Sequence, residues 1–444
     1  MTLREIYAFI YGRSGIFVGI SMVIVYVVFR AIYNVFFHPL SSFPGPLLHR
    51  ASRLAYVYRL TRGTLPMDLL EMHEHYGDIV RVAPDELSFA HPDAWSDIYK
   101  KSADELDKAH WFYRVSEACP LSILSEYHEQ HGLLRRQLTS GFSEKSLREQ
   151  EPIIRGYIDL LLQRLREISN NGQPLVISDW FNFTTFDIIG DLVFSKPFGC
   201  LARSDYHEWV KSTLEVTRLA TVLQSLSFAP LVKRIVFKMV PDSLEHPQKR
   251  QMQRIEAILR QRLDVTHNEK NMMEALVRKK EELNLSIDQL ISNAQILMTA
   301  GSETSASLLS AVTYFLLQNP AAYQKLTNEV RSSFSSEKEI NISSVKQLAY
   351  MIACLNEALR MYPPVAVGLP RVVPEGGVQI LGQYIPEQTF VAIPQWALYH
   401  REEYFAEPNA FHPERFLNDP KFSNDRRDGI HPFSLGARSC LGQK

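Results

Sequence analysis

The chain of 444 residues closes on the stretch HPFSLGARSCLGQK, His431 to Lys444, which sets a single cysteine, Cys440, between glycines. Phe433, Gly436, Arg438, Cys440 and Gly442 together fit the pattern F-x-x-G-x-R-x-C-x-G. A lone thiolate held in an open loop suits the axial position of a haem iron, where electron release from sulfur favours O–O cleavage. In that arrangement Cys440 is the metal ligand, Gly436 permits a tight turn, and Gly442 lets the backbone approach the porphyrin. Arg438 then pairs with a propionate, and amides after the cysteine stabilise the sulfur's charge. The competing reading is an ordinary buried cysteine in a glycine loop, and five positions matching together disfavour it.

Three further groups bear chemistry. The segment AGSETS places Gly301, Glu303 and Thr304 inside a long apolar run, where a carboxylate costs desolvation energy unless paired or hydrated. There Ser302 and Thr304 can also simply bond to preceding carbonyls while Gly301 eases packing. In NEALR, Glu357 and Arg360 share a helix face, and FHPERF offers Arg415 as a third member of a buried cluster. In HGLLRRQL, His131 and Arg135 lie one helical turn apart and point the same way.

Composition limits what else the chain can be. With 45% hydrophobic and 22% charged residues it has the make-up of a globular body. A formal net charge of -1 provides no broad attraction for nucleic acid, which is not an expected partner. The four cysteines, Cys119, Cys200, Cys354 and Cys440, show no paired spacing, which argues against zinc sites and a disulfide framework. Three of them are expected to be inert buried thiols.

The elements that must position these groups are mainly helical. Residues 14–37 read as one transmembrane anchor in which Arg30 snorkels to the interface. Residues 38–46, rich in proline, form a stiff hinge, and 47–444 form the catalytic body. Arg30, Arg50, Arg53, Arg59 and Arg62 outnumber Arg4 and Arg13 before the span, which leaves the body on the cytoplasmic side. Strand, a Pro84-Asp85 turn, strand, then a helix is predicted for residues 77–95. Helices are predicted over 125–168, 179–194, 248–280 and 344–361. A capping box at Ser286 and Gln289 starts a long helix, apolar nearly all round, that runs to Gln318, with Asn319-Pro320 closing it and capping the next.

Anchor, proline hinge, long central helix, E-x-x-R, P-E-R-F and cysteine loop, in this order across nearly the whole chain, resemble the cytochrome P450 superfamily of haem-thiolate monooxygenases. The resemblance implies a mainly α fold with small β-sheets (α+β) and haem b (iron protoporphyrin IX) bound through Cys440. It assigns proton delivery to Thr304 and Glu303, and propionate binding to Arg135, Arg371 and Arg438. His131 stands where the family commonly has tryptophan, and it keeps a ring N–H donor. The Glu357, Arg360 and Arg415 cluster is implied to be structural. Electrons would come from an NADPH-cytochrome reductase on the same membrane, the endoplasmic reticulum. Ile296, Ala300, Val365, Val367 and the segment 104–125 would line a pocket for an apolar small molecule. AGSETS, His131 and HPLSSFPGP look most like filamentous-fungal enzymes of terpenoid, polyketide or alkaloid metabolism, including mycotoxin intermediates. The family continues past the cysteine with a helix and a hairpin that this sequence lacks, so the chain reads as C-terminally truncated and is expected to bind haem poorly. Two alternatives are a haem-poor relative without catalysis and a thiolate-haem enzyme that rearranges peroxides.

Overall fold

A computed structural model describes residues 3–100, 106–114, 119–207 and 272–443, with short pieces between 210 and 260; side chains are described from Val18 onward, except for His128. The first element, α1 (Leu3–Phe36), starts well before the predicted span. Its section Val18–Phe36 is long and apolar enough to cross a membrane, and its side chains stand almost wholly exposed. Polar ties fasten its end to the body. Asn34 Nδ2 donates to the Ala51 carbonyl at 2.9 Å, and Arg50 Nη2 donates to the carbonyls of Val35 and Ser41 at 3.0 and 2.9 Å. The proline connector lies on the sheet, where the Arg81 amide donates to Pro44 O at 2.7 Å. Arg53, counted above as a flanking charge, is in fact buried and paired with Asp85 and Glu86.

Two short helices, α2 (Leu47–Ala51) and α3 (Leu54–Arg62), precede α4 (Leu65–Tyr76) and the hairpin β1 (Ile79–Ala83) and β2 (Glu86–Phe89), with Pro84-Asp85 at the predicted turn. The main sheet has the order β1-β2-β7-β4-β3, where β3 is Asp107–Lys108, β4 is Arg371–Val372 and β7 is Phe390–Ala392. Only β2 and β7 pair in parallel within it, and the antiparallel β3–β4 register sets Lys108 opposite Arg371. A separate hairpin pairs β5 (Val378–Ile380) with β6 (Gln383–Ile385).

Helices form the rest of the body. The predicted helix 125–168 divides at residues 140–143 into α5 (His128–Thr139) and α6 (Glu144–Asn170), because Ser143 Oγ accepts the Ser146 amide and starts a new helix. The next, α7 (Ile177–Phe194), buries most of its length against α8 (Ile287–Gln318). Gly301 makes this crossing close, since a Cβ there would come within 2.8 Å of Ile189 Cδ1. The capping box at Ser286 and Gln289 is formed.

Three expectations need correction. The second half of α8 is not buried all round: Leu309, Tyr314 and Leu317 are exposed, and Tyr314 lines a groove of about 580 Å³ with Phe315, Tyr362 and Trp396. Asn319 closes α8 by donating to Phe315 O at 2.8 Å but provides no side-chain cap to α9 (Pro320–Ser333). The helix expected from Ser344 begins later, as α10 (Ala349–Met361), because Asn341 caps a separate turn at Ile342–Val345. Most of the predicted helix 248–280 lies outside the described residues.

Candidate functional site

The cysteine loop is held at both ends by backbone. Cys440 N donates to Phe433 O at 2.8 Å, and Ser439 N donates to Gly436 O at 3.1 Å. Gly436 has φ +76°, and a Cβ there would fall 2.1 Å from Tyr99 O, so both conformation and space demand glycine. Tyr99 in turn donates its hydroxyl to Leu369 O at 2.8 Å. From α5, Arg135 reaches the loop with Nη1 to Ser439 O at 2.6 Å and Nη2 to Ser439 Oγ at 3.2 Å. Burial lowers the pKa of Arg135, and the neighbouring Cys440 thiol opposes that shift. Past the cysteine, Leu441 packs on the core shared by α5, α7 and α8.

The four thiols separate by environment. Cys200 and Cys354 are buried, and burial pushes them up to about 11 and 12. Cys119, expected to be buried, is half-exposed, and Cys440 is exposed. A Cβ on Gly442 would meet nothing closer than Cys440 Sγ at 3.8 Å.

A nest of positive charge lies beside this loop. His131 is buried, which excludes an ordinary surface histidine. Its pKa is pushed down to about 3, first by burial and then by the cations Lys108, Arg438, Arg135 and Arg371. Arg371 is 3% exposed, its guanidinium lies 5.4 Å from the centre of the Tyr99 ring, and its Nε and Nη1 have no hydrogen-bond partner. Arg438 donates to Glu126 O at 3.3 Å and stands 3.8 Å from Asp107. Lys108 donates to Ile123 O at 3.0 Å and to Leu124 O at 2.6 Å. Lys108 escaped the sequence reading because a two-residue strand has no periodic signal; only its register opposite Arg371 reveals it.

On α8 the hydroxyls make the local bonds that the sequence left open. Ser302 Oγ donates to Met298 O at 2.7 Å and Thr304 Oγ1 to Ala300 O at 2.6 Å, while the Thr304 side chain remains exposed. Glu303 is half-buried, and burial raises its carboxyl pKa. Among the described residues it makes no ion pair.

The Glu357 cluster forms as expected. Arg360 grips Glu357 with two bonds of 2.8 Å, Arg415 Nε reaches Glu357 Oε2 at 3.2 Å, and all three side chains have no exposure. A fourth member, Asp425, pairs with Arg415 Nη1 and was missed because nothing in its local sequence distinguishes it.

The family model described as Cytochrome P450 matches residues 45–444. The chain belongs to the cytochrome P450 family. It is 46% identical over 427 residues to the cytochrome P450 monooxygenase prhB of Penicillium brasilianum, covering 96% of this chain and 87% of that protein. Identity to the trichothecene C-4 hydroxylase of Trichoderma arundinaceum is 40%, covering 97% of this chain and 89% of the relative. For the trichothecene C-15 hydroxylase of Fusarium sporotrichioides it is 38%, covering 94% and 86%. This P450 is a monooxygenase with a haem-iron cofactor.

The residues present fit that group. A haem offers a metal that takes an exposed thiolate and two carboxylates that take guanidinium forks. The P450 supplies an exposed Cys440 and, in Arg371, two buried N–H donors with nothing to bond. Unpaired buried donors of that kind cost about 1–3 kcal/mol, which an anionic partner removes.

Proposed function

We propose that this P450 binds haem b through Cys440 and inserts one oxygen atom from dioxygen into an apolar small molecule of secondary metabolism. Terpenoid, polyketide and alkaloid intermediates are the candidate substrates. The reading is supported by relatives named as trichothecene hydroxylases and by Ile296 and Ala300, apolar residues on the same face of α8 as Thr304. The observation that carries it is the pairing of an exposed thiol with the orphaned donors of Arg371.

When bound, haem supplies reductive activation of dioxygen, with one oxygen going to substrate and the other to water. The chain's own residues do the remaining work. Arg135 holds the loop bearing the sulfur through Ser439, and Arg371, Arg438 and His131 bind the propionates. His131 offers a ring N–H, and burial together with the neighbouring cations lowers its pKa to about 3 before any anion is bound. Phe433 and Gly436 shape the loop, and Gly442 leaves room at the sulfur. Glu303, whose carboxyl pKa burial raises, is the candidate proton donor, and Thr304 Oγ1, held by Ala300 O, keeps lone pairs to accept a hydrogen bond. The electron donor is an NADPH-dependent reductase docking on the cysteine side. Residues 14–37 anchor the chain in the endoplasmic reticulum with the body facing the cytoplasm.

Reduction under carbon monoxide tests the site. A thiolate-ligated haem gives the red-shifted Soret band, and Cys440→Ala should abolish it. A band unchanged in Cys440→Ala overturns the assignment.

A further inference from the structure

Along one face of α8 the surroundings change within a few turns. Asn293, Ile296, Ala300 and Thr304 follow one another at helical spacing, and they pass from no exposure at Asn293, through half-buried at Ile296, to exposed at Ala300 and Thr304. Segment 120–126, which belongs to no helix or strand, lies on the buried end of that face. Asn293 holds it there. Its Nδ2 donates to Gln289 O at 2.8 Å, one turn back, which fixes the amide plane, and its Oδ1 accepts the Ile123 N–H at 2.9 Å. Ser292 Oγ adds a bond to Pro120 O at 3.1 Å. Within the segment, Ser122 N donates to Ser125 Oγ at 3.0 Å and Glu126 N to Ser122 O at 2.8 Å, so the turn is closed on itself. Its opposite side is held by Lys108, at the carbonyls of Ile123 and Leu124, and by Arg438, at that of Glu126. Where the turn stands along α8 is therefore decided by the bonds it makes to that helix, of which the one to Asn293 is fully buried.

We infer that Asn293 is a positioning residue for substrate length: by fixing segment 120–126 across α8, it sets how far an apolar molecule can extend along that helix. This rests on the monooxygenase function proposed above, which puts the reacting end of the substrate beside Thr304. From Asn293 to Ala300 the helix rises about 10 Å, and to Thr304 about 16 Å, at roughly 1.5 Å per residue. A molecule lying along α8 with its reacting carbon at Thr304 thus meets the segment within about 16 Å. Compact, ring-bearing molecules are favoured over extended chains. Asn293 itself is covered and has both ends of its amide occupied, so it acts through the segment and not by touching the substrate. Without Oδ1 the Ile123 N–H loses its acceptor, and the segment is released to find another away from α8.

A series of 1-alkylimidazoles, from methyl to dodecyl, tests this on the haem-loaded full chain. Binding of the ring nitrogen to iron is read from the Soret shift, and the tail reports the apolar room beyond it. Each buried methylene should tighten binding about fourfold until the tail meets the wall, after which longer tails gain nothing. The tail length at which the gain stops is the readout. Asn293→Leu keeps the side-chain volume and removes the acceptor. In it the gain should continue for about two further methylenes, roughly fifteenfold in affinity. Affinity for unsubstituted imidazole should not change, whereas a merely loosened fold would weaken every member alike. Exchange of the Ile123 amide should quicken about tenfold in the same variant. Ser292→Ala, which removes the bond to Pro120, should lengthen the gain by less, and it decides the matter should Asn293→Leu take up no haem. A stopping length unchanged in both variants overturns the inference, as does Ile123 exchange unaffected by Asn293→Leu. A wild type that binds imidazole yet shows no stopping length overturns it while the haem site stands. A wild type with no imidazole-induced Soret shift sinks the site and this inference together.

Discussion

Arg135 holds Ser439 from both sides of the peptide, with one terminal nitrogen on its carbonyl and the other on its hydroxyl. The sulfur of the next residue is thereby placed by a side chain that lies 304 positions before Ser439 in the chain. The sequence reading assigned Arg135 to a propionate. The structure shows it bonded to the cysteine loop.

Arg135→Met should therefore act on the sulfur as well as on the porphyrin edge. The fraction of haem giving the thiolate-type carbon monoxide band should fall several-fold, with Arg135→Lys intermediate because it offers a point charge in place of a fork. Absorption spectra at equal haem concentration measure this.

Gly436→Ala should be destabilising on two counts. A left-handed backbone costs a non-glycine residue roughly 1–2 kcal/mol, and the Cβ would also meet Tyr99 O at 2.1 Å. Gly442→Ala adds a Cβ whose nearest neighbour is at 3.8 Å, so its effect on folding should be small. Thermal melts of the two variants should differ clearly, with Gly436→Ala the lower.

Glu357→Gln removes the carboxylate between two fully buried arginines and should cost about 3–5 kcal/mol. Asp425→Asn should cost less, since Arg415 keeps Glu357 as a partner. Urea unfolding midpoints rank the two.

Acid should weaken the fold through buried histidines. His73 donates Nδ1–H to Gly77 O and accepts from Ser88 Oγ, each at 2.8 Å, which fixes the neutral ring. Burial pushes its pKa down to about 4 from 6.5. Between these values the unfolded chain binds a proton that the folded one refuses, so stability is full above pH about 6.5 and is lost as pH falls toward 4, by about 3 kcal/mol at most. His400, pushed down to about 4, adds a like slope. His73→Gln should flatten the fall in melting temperature between pH 7 and 4.5.

The cysteine loop was legible in sequence because its demands are local: a turn glycine, a cation and a sulfur within ten residues. Glu357, Arg360 and Arg415 were legible because helical spacing joins the first two and a short motif marks the third. Lys108, Tyr99 and Asp425 were not, because each acts through a tertiary contact that no periodicity encodes. The apolar pattern of α8 gave its ends correctly, but hydrophobicity alone could not show that Tyr314 lines an open groove and Leu317 is exposed.

Tyr99 works as a caliper. Its carbonyl rests against Gly436, its hydroxyl reaches Leu369 two residues before Arg371, and its ring underlies the Arg371 guanidinium. The gap between the sulfur-bearing loop and the arginine-bearing strand is thus set by the span of one rigid side chain. Tyr99→Phe would release the strand side, which hangs on the hydroxyl, and leave the loop side, which is made by backbone, untouched.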